Sequence, residues 1–567
     1  MVKRLLNFIG REYNGLHEAA FLLGLSAFGS QILALIRDRL LASAFGAGAE
    51  LDVYYAAFRL PDLLFVFFGS LVSVTVVLPF LYRHLTAGNQ AAANRLFTDL
   101  ARWFLFLILP AIVLIYFLMP FLLNLTVPGF VPAARAELLT LSRLLLLSPL
   151  LLGLSNLLAN VTQSSRKFFL YALSPILYNL GIIVGLLFFY PRLGLAGLVW
   201  GVILGAGLHL AIQWPALARS AFFGRAAESA ASPAAGTAKN EWRKIFVLAW
   251  PRTLALSANQ LTITVLLALA SYLAAGSIAV FNFAYNLQSV LLSIIGVSYS
   301  VAAFPTLVRL FTAGDQPQFV RQVAAVARHI IFWSLPAITL FIVLRAQIVR
   351  VILGAGRFDW SDTRLTAAAL AIFLISAAAQ SLILLLVRGY YACGQTRKPL
   401  IINSLSSILI VLLALVLFPL IDHPVLFGEW LKHLWRVADL PATEILILPL
   451  AFSIGSLLNL GILWRSFRRD FGSFPPLLSK SFWQTAAAAL AAAAATYLLL
   501  QLLAPVFNQA TFWGIFNQGL LAGLGGLLID FLILRWFNNE EMIEISRSLQ
   551  RQFWRRAKPI LPPPADL

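Results

Sequence analysis

The segment PFLYRHLTAGNQ, from Pro79 to Gln90, recurs 226 residues later as PTLVRLFTAGDQ, from Pro305 to Gln316. The matched Pro, Arg, Thr-Ala-Gly and Gln all keep this one spacing, so we interpret the two segments as copies of an internal repeat. Each copy follows a long apolar run. The pattern therefore predicts a chain built from two related halves.

The composition around these segments excludes a soluble globular protein. Of 567 residues, 60% are hydrophobic and only 11% are charged, whereas soluble domains have roughly 45–50% and about 25%. Apolar runs of about 18 or more residues, bounded by charges, Gly or Pro, predict membrane-spanning helices. We predict fourteen spans, approximately at Ala19–Ile36, Val53–Leu81, Trp103–Leu125, Leu138–Thr162, Phe168–Tyr190, Gly194–Leu217, Ile245–Leu273, Ile278–Phe304, Ala325–Leu344, Leu365–Val387, Leu400–Ile421, Glu444–Trp464, Ser481–Leu503 and Phe512–Leu534.

The predicted fold is an all-α polytopic membrane protein with about 14 transmembrane helices. Because six spans separate the two copies of the repeat, both halves enter the membrane in the same direction. This predicts two parallel six-helix lobes, related by a pseudo-two-fold axis along the membrane normal, plus two extra C-terminal helices. The expected divisions are a cytoplasmic interfacial N-tail (1–18), the N-lobe (19–218), a cytoplasmic linker (219–244), the C-lobe (245–465), spans thirteen and fourteen (466–534) and a cytoplasmic basic C-tail (535–567).

Small residues in span six predict a close helix contact. Gly197, Gly201 and Gly205 recur at every fourth position. Residues with this spacing share one helix face, and small side chains let two helix backbones approach each other. We therefore expect this face to pack against a neighbouring helix.

The net charge of +19 is explained by orientation in the membrane rather than by nucleic acid binding. With the N-terminus in the cytoplasm, 29 of the 42 Lys and Arg fall on the inner side and 11 on the outer side, while Arg59 and Arg252 lie inside spans. Cytoplasmic loops carry an excess of basic residues, so both termini are predicted to be cytoplasmic. The two basic tails suit anionic lipids of the inner leaflet, and we expect no nucleic acid partner.

The sequence carries no pattern for catalytic or metal chemistry. A single cysteine, Cys393, excludes an intrachain disulfide framework and a multi-cysteine metal site. The six histidines have no metal-ligand spacing, and neither a P-loop nor an HExxH motif occurs. Spans seven and eleven contain no carboxylate. We therefore expect no catalytic residue, no bound metal and no cofactor.

Several segments resemble the MurJ (MviN) lipid II flippases of the MOP exporter superfamily. RDRLLASAFGAGAELDVYYAAFRLPDLL, at Arg37–Leu64, resembles the first-loop signature of that family, and LRAQIVRVILGAGRFDWSDT, at Leu344–Thr363, and RGYYACGQTRKPL, at Arg388–Leu400, are similar to later family segments. The resemblance extends from span one through span twelve, and the extra pair fits the family's fourteen-span plan. It implies a transporter and not an enzyme, which exports lipid II, a polyprenyl-pyrophosphate-linked peptidoglycan precursor, across the bacterial inner membrane by alternating access as a monomer.

The resemblance also implies which residues bind the substrate. It implies a cationic cavity for the pyrophosphate and sugar head, and a groove beside the last two spans for the lipid tail. Arg37, Asp52 and the basic position at Arg59 match the family pattern. Arg252, next to Pro251 at the inner start of span seven, is a candidate for a further cation.

The sequence departs from the family pattern at positions that usually carry charges. Gln31, Phe65 and Asn286 stand where the family usually has further arginines, and Ser70 stands where it has a glutamate. A cavity with fewer cations should hold a diphosphate less tightly. The departures therefore leave open a sibling exporter that carries a different polyprenyl-linked glycan.

Structural roles are the alternatives for the same residues. Arg37 and Asp38 could form an interfacial pair at the end of span one, and Asp52 could stabilise the start of a helix. Arg252 could be an ordinary inner-surface charge, and Asn286 could form an interhelical hydrogen bond. A different class of function, a polytopic glycosyltransferase that uses a polyprenyl-phosphate donor, would place catalytic acids in the first outer loop, where Glu50 and Asp52 lie.

Overall fold

The computed structural model describes residues 16–165, 167–215, 241–420 and 432–544. These residues are almost entirely helical and contain no β-strand, and helices occur at all fourteen predicted span positions, which confirms the all-α polytopic fold. Ten helices in the described part are long and apolar enough to cross a membrane, and two more, bent by 41° at their junction, make an eleventh if the pair is one span. The predicted tails and linker lie wholly or largely outside the described residues.

The helices follow one another with short connections. Before the predicted linker they are α1 (Leu16–Phe45), α2 (Ala49–Ala57), α3 (Arg59–Leu64), α4 (Val74–Thr86), α5 (Gln90–Thr126), α6 (Pro132–Leu145), α7 (Leu147–Ser164), α8 (Phe168–Val184), α9 (Tyr190–Leu193) and α10 (Leu195–Ala211). After it they are α11 (Glu241–Ala270), α12 (Ser277–Leu291), α13 (Ser298–Thr312), α14 (Gln316–Val343), α15 (Arg345–Leu353), α16 (Trp360–Ile375), α17 (Ala377–Ala392), α18 (Arg397–Leu417), α19 (Ile447–Phe471), α20 (Pro476–Leu503) and α21 (Phe512–Trp536). Short π-helical segments occupy Phe65–Gly69, Gly185–Phe189 and Leu292–Val297, and 3₁₀ turns occupy Phe418–Leu420 and Thr443–Leu446.

The helices group into two compact units. The first contains the described residues up to 284 together with 352–369 and 396–455, and the second contains 285–351, 370–395 and the described residues from 456 onward. Within the first unit α8 packs on α1 and α10, and α11 packs along α18. Within the second unit α14 packs on α17 and α20, and α20 packs on α21. The predicted lobe boundaries stay predictions.

The two copies of the repeat have the same local structure. Gly88 and Gly314 both have positive φ angles, of 68° and 75°, which glycine adopts without the steric cost of a Cβ. The following residue caps the next helix: the side chain of Asn89 accepts a hydrogen bond from the Ala92 amide, and that of Asp315 accepts one from the Gln318 amide, both at 3.0 Å. The repeat therefore encodes a helix end, a left-handed turn and a capped helix start.

The glycines of span six pack as predicted. A Cβ placed on Gly201 would lie 2.4 Å from the Gly185 Cα, and one on Gly181 would lie 2.3 Å from the Gly205 Cα. These distances are too short for any side chain, so α10 contacts α8 and the π-helical segment after it through glycine backbones. This packing aligns two apolar spans with no polar contact.

Span two is not the continuous helix that its apolar run predicts. The structure divides it into α2, α3, the π-helical segment Phe65–Gly69 and α4, with a break at Val72–Ser73. Ser73 has extended backbone angles, φ −66° and ψ 149°, and the Val72 carbonyl accepts a hydrogen bond from Asn160 Nδ2 at 3.2 Å. A partner from another helix therefore stabilises the break, which explains why local hydrophobicity does not reveal it.

An apolar cavity of about 210 Å³ lies beside this break. Its lining comes from Phe68, Leu71 and Val72 in span two, from four α5 residues between Leu100 and Leu107, and from Ile245 and Phe246 in α11. We refer to it below as the span-two cavity.

Candidate functional site

Arg37 lies within α1 and carries most of its hydrogen bonds inside the protein. Its Nε and Nη2 donate to Asp38 Oδ1 at 2.9 and 2.7 Å, and its Nη1 donates to Asn179 Oδ1 at 3.0 Å. Since α1 continues to Phe45, the pair does not cap a helix end, and its position at the membrane interface stays a prediction. The Arg37 side chain as a whole is 20% exposed.

Asn179 fixes the position of Arg37. Its side-chain nitrogen donates to the Pro175 carbonyl at 3.2 Å and to the Ser30 hydroxyl at 3.3 Å. These bonds orient the amide so that its oxygen faces the guanidinium. Asn179 is not among the residues predicted from the sequence, although an asparagine inside the apolar span Phe168–Tyr190 is an available signal.

Arg59 is held in a buried position in α3. Its Nη2 donates to Asn282 Oδ1 at 2.7 Å and its Nε donates to the Tyr55 carbonyl at 3.3 Å. Asn282 is itself oriented by a bond from its Nδ2 to the Ile278 carbonyl at 2.7 Å. Only 9% of Arg59 is exposed, so this arginine ties α3 to α12.

Asp52 lies in the first turn of α2 and contacts the start of α12. Its Oδ2 accepts the Gly276 amide proton at 2.6 Å and its Oδ1 accepts that of Ala279 at 2.8 Å. A carboxylate at a helix N-terminus satisfies orphan amides and interacts favourably with the helix dipole. Asp52 thus joins two segments more than 220 residues apart in sequence.

Two further hydrogen bonds hold the connection between α1 and α2. The Ala47 amide donates to Asp362 Oδ2 at 3.1 Å, and the Arg357 amide donates to the Ser43 carbonyl at 3.0 Å. The chain between α1 and α2 is therefore held on one side by the start of α12 and on the other by residues 357–362. We call this set of contacts, with Asp52 at its centre, the loop seam.

The contacts described above do not include the remaining predicted substrate-binding residues. Gln31 is half-buried in α1, six residues before Arg37. Asn286 is half-buried in α12, one turn after Asn282, and belongs to the second compact unit. Arg252 lies in α11, but its side chain is outside the described residues. For these three residues a role in substrate binding stays a prediction.

A charged pair orders a loop outside the spans. Arg364 donates bidentately to Asp439, from Nη1 to Oδ2 at 2.7 Å and from Nη2 to Oδ1 at 2.6 Å, and it also donates to the Arg436 carbonyl. These charge-assisted bonds from Arg364 lower the pKa of Asp439 below its ordinary value. The pair anchors the described residues before α19.

Metal binding has no geometric support in the described residues. Residues 16–165, 167–215, 241–420 and 432–544 contain no group of three or more His, Cys, Asp or Glu side chains that could hold a metal ion. The expected absence of a metal and of a cofactor stays a prediction. The chemistry that the buried site offers is hydrogen bonding and charge, supplied by Arg37, Arg59 and their amide partners.

Sequence comparisons identify a family and several similar proteins. A family model described as "Lipid II flippase MurJ" matches residues 41–516. The probable lipid II flippase MurJ of Rhizobium tropici is 26% identical over 408 residues, covering 70% of this chain and 75% of the relative. The lipid II flippase MurJ of Burkholderia cenocepacia is 25% identical over 404 residues, covering 70% of this chain and 77% of the relative.

Solved structures share the fold. A lipid II flippase MurJ in an inward closed conformation matches with a TM-score of 0.70 at 21% identity, over 91% of this chain and 99% of that chain. An inward-facing multidrug resistance MATE transporter of the MOP superfamily matches with a TM-score of 0.63 at 15% identity, over 79% of this chain and 96% of that chain. Because the family model covers most of the sequence, the chain belongs to the MurJ lipid II flippase family.

Proposed function

We propose that the chain exports lipid II across the bacterial cytoplasmic membrane by alternating access, as a transporter and not as an enzyme. The family match over residues 41–516 supports this substrate. A diphosphate cannot cross hydrocarbon unaided, so its carrier needs positioned cations inside the membrane region. Arg37 and Arg59 are arginines of this kind, and we assign them, with Gln31, Asp52, Arg252 and Asn286, to the substrate path.

Arg37 carries the proposal most directly. Three of its N–H groups are used by Asp38 and Asn179, and a guanidinium has five in a rigid fork. These bonds use one N–H of Nη1 and one of Nη2. We assign the second N–H of each nitrogen to a phosphate oxygen of the cargo. Planar pairs of N–H groups suit phosphate oxygens.

Asp38 tunes the affinity of Arg37 for an anion. Its Oδ1 accepts two bonds from Arg37, so the pair has little net charge before the cargo arrives. A pyrophosphate, with more charge and more acceptor oxygens, competes with this single carboxylate for the guanidinium. Because Asp38 returns to Arg37 when the cargo leaves, the pair favours release after transport.

The loop seam supports an alternating-access step. Asp52 holds the start of α12 through two short bonds to backbone amides, and opening this side of the protein requires both bonds to break together. Arg59 links the next helix, α3, to α12 through Asn282, about one turn further along α12. We propose that the seam is closed while cargo enters from the opposite side and opens for release.

The charge distribution supports the orientation. With 29 of 42 basic residues on one side, we propose that both termini face the cytoplasm, where the basic tails contact anionic lipids. We also propose that the N-lobe (19–218) and C-lobe (245–465) rock about the linker (219–244), that spans thirteen and fourteen (466–534) support the lipid tail, and that the monomer is the functional unit.

Two observations bear on the alternatives. Phe65 and Ser70 are neutral residues at positions where the family usually has charges, and this favours, as second candidate, an exporter of another polyprenyl-linked glycan. Ser70 Oγ forms a 2.6 Å hydrogen bond with the Thr253 hydroxyl and supplies no charge. The glycosyltransferase is less well supported, since both oxygens of its candidate acid, Asp52, accept backbone hydrogen bonds.

A transport assay with defined cargo tests the proposal. The purified chain is reconstituted into liposomes, and the movement of fluorescent lipid II between leaflets is compared with that of a polyprenyl-pyrophosphate that carries an unrelated glycan. We expect lipid II to move faster than in protein-free liposomes. Movement of the unrelated glycan alone would support the second candidate, and movement of neither cargo by folded protein would reject both.

A further inference from the structure

The span-two cavity opens towards the membrane side of its helices. Trp103 and Phe246 at its edge are each 38% exposed, whereas Leu100, Phe104 and Ile245 are at most 6% exposed and form its floor. The exposed aromatic pair therefore marks the mouth of the cavity. For a helix that crosses a bilayer, the medium at this mouth is hydrocarbon.

The charges of α5 indicate the depth of the cavity. Arg95, Asp99 and Arg102 are followed by 24 uncharged residues, Trp103–Thr126, which extend about 36 Å as a helix and can cross the roughly 30 Å hydrocarbon core. The cavity spans Leu100 to Leu107. It therefore lies where lipid headgroups give way to lipid chains.

We propose that the span-two cavity holds one acyl chain of a bilayer phospholipid, whose phosphate lies at the level of Arg102. The lining residues are all apolar, so the cavity does not suit water, which needs polar partners. A void leaves its lining atoms without van der Waals partners, and a flexible chain from the adjacent leaflet supplies them. Arg102 is exposed and supplies a positive charge for the lipid phosphate.

The proposed acyl chain lies against the irregular part of span two and affects its conformation. Phe68, Leu71 and Val72 contribute to the lining, and they lie within the π-helical segment, between it and the break, and in the break. A π-helical segment inside an α-helix frequently occurs at a functional site. The acyl chain supplies apolar packing against these lining residues and so stabilises the broken form of span two. This inference does not depend on which cargo is transported.

Lipid retention by a filled cavity tests the proposal. Leu107→Trp adds bulk inside the cavity, and Leu109→Trp makes the same change on a membrane-exposed residue of the same helix, since Leu109 is 45% exposed. Native mass spectrometry after mild delipidation should find one tightly held phospholipid on the wild-type protein and on Leu109→Trp, and none on Leu107→Trp. Equal retention by all three proteins, or a polyprenyl phosphate in place of the phospholipid, would overturn the proposal.

A measurement on the wild-type protein decides the case if Leu107→Trp does not fold. The protein is reconstituted in nanodiscs of phosphatidylcholine with brominated acyl chains, and its structure is determined. We expect bromine density inside the cavity, between Phe104 and Phe246. A cavity without bromine density, or one filled by rearranged side chains, would contradict the presence of an acyl chain.

Discussion

Asp52 and Gly276 are joined by a 2.6 Å hydrogen bond from the Gly276 amide to the Asp52 carboxylate, across 224 residues of sequence. Gly276 has a φ of +92°, and a Cβ at this position would lie 1.8 Å from the Ala47 carbonyl oxygen. Only glycine therefore allows the start of α12 to approach the α1–α2 connection this closely. The carboxylate and the glycine together form the tightest part of the loop seam.

Loss of one carboxylate oxygen should weaken the seam. Asp52→Asn keeps the size of the side chain but leaves one acceptor for two amides and removes the charge at the helix start, so we expect a loss of about 1–3 kcal/mol in the free energy of unfolding. The thermal unfolding of purified protein measures it. The matched control is Asp315→Asn, because Asp315 is also a helix cap and the repeat has Asn89 at the same place. Equal destabilisation by both changes would contradict the role of Asp52.

The side chain of Asn282, which bonds to buried Arg59, should contribute more to stability than the half-buried side chain of Asn286. Asn282→Leu removes the 2.7 Å partner of a buried guanidinium, and we expect a loss of about 1.5–3 kcal/mol in the free energy of unfolding. Asn286→Leu, one turn away on the same helix and half-buried, is the control and should cost less. Denaturant titrations of the two variants give the comparison, and the opposite order would count against the assignment.

The glycine contact between α8 and α10 should not tolerate a methyl group. A Cβ at position 201 would lie 2.4 Å from the Gly185 Cα, whereas nothing lies within 4 Å of a Cβ at position 207. Gly201→Ala should therefore lower the unfolding free energy by about 1–3 kcal/mol through overpacking, and Gly207→Ala should leave it nearly unchanged. Thermal melts of both variants in detergent test this difference.

The rate of alkylation of Cys393 should keep rising at pH values above the ordinary pKa of a thiol. Burial raises the pKa of the Cys393 thiol from 9.0 to about 11, so the reactive thiolate is scarce at neutral pH. Because the thiolate is the nucleophile, the rate of alkylation should rise about tenfold per pH unit until the pH approaches that pKa. Since Cys393 is the only cysteine, mass spectrometry of iodoacetamide-treated protein reports it without ambiguity.

The control for this measurement places a cysteine at an exposed site. Ser473→Cys in a Cys393→Ser background puts the thiol on an exposed residue between α19 and α20, and its alkylation rate should level off near the ordinary thiol pKa. If the alkylation rate of Cys393 also levelled off near the ordinary thiol pKa, that result would contradict the effect of burial. With a membrane-impermeant reagent, the same two proteins also test the proposed orientation, because both sites should react only from the cytoplasmic side.

Local features of the fold were predictable from the sequence. Long apolar runs predicted fourteen positions at which helices occur, because burial in lipid requires continuous hydrophobicity. The Thr-Ala-Gly segments predicted the repeat, and the spacing of Gly197, Gly201 and Gly205 predicted a packing face that the structure confirms. Each of these signals is encoded within a few helical turns of one segment.

Features that depend on distant backbone atoms were not predictable in the same way. Asp52 accepts hydrogen bonds from the amides of Gly276 and Ala279. Every residue except proline has a backbone amide, so the sequence does not show which amides a side chain binds. The break in span two contains no proline, and its Val72 carbonyl is satisfied by Asn160 from another helix. The partner of Arg37, Asn179, was missed for the same reason, because its pairing depends on how α1 packs against α8.

Transport of lipid II by Arg37 variants tests the central claim most directly. Initial rates are measured in proteoliposomes for wild type, Arg37→Gln and, as control, Arg192→Gln at an exposed arginine, with the unfolding temperature of each protein recorded. Removal of a charged hydrogen-bond donor to phosphate should lower the rate about tenfold or more for Arg37→Gln, while Arg192→Gln keeps the wild-type rate. Folded Arg37→Gln protein that moves lipid II at the wild-type rate would contradict the assignment of Arg37 to the cargo phosphate.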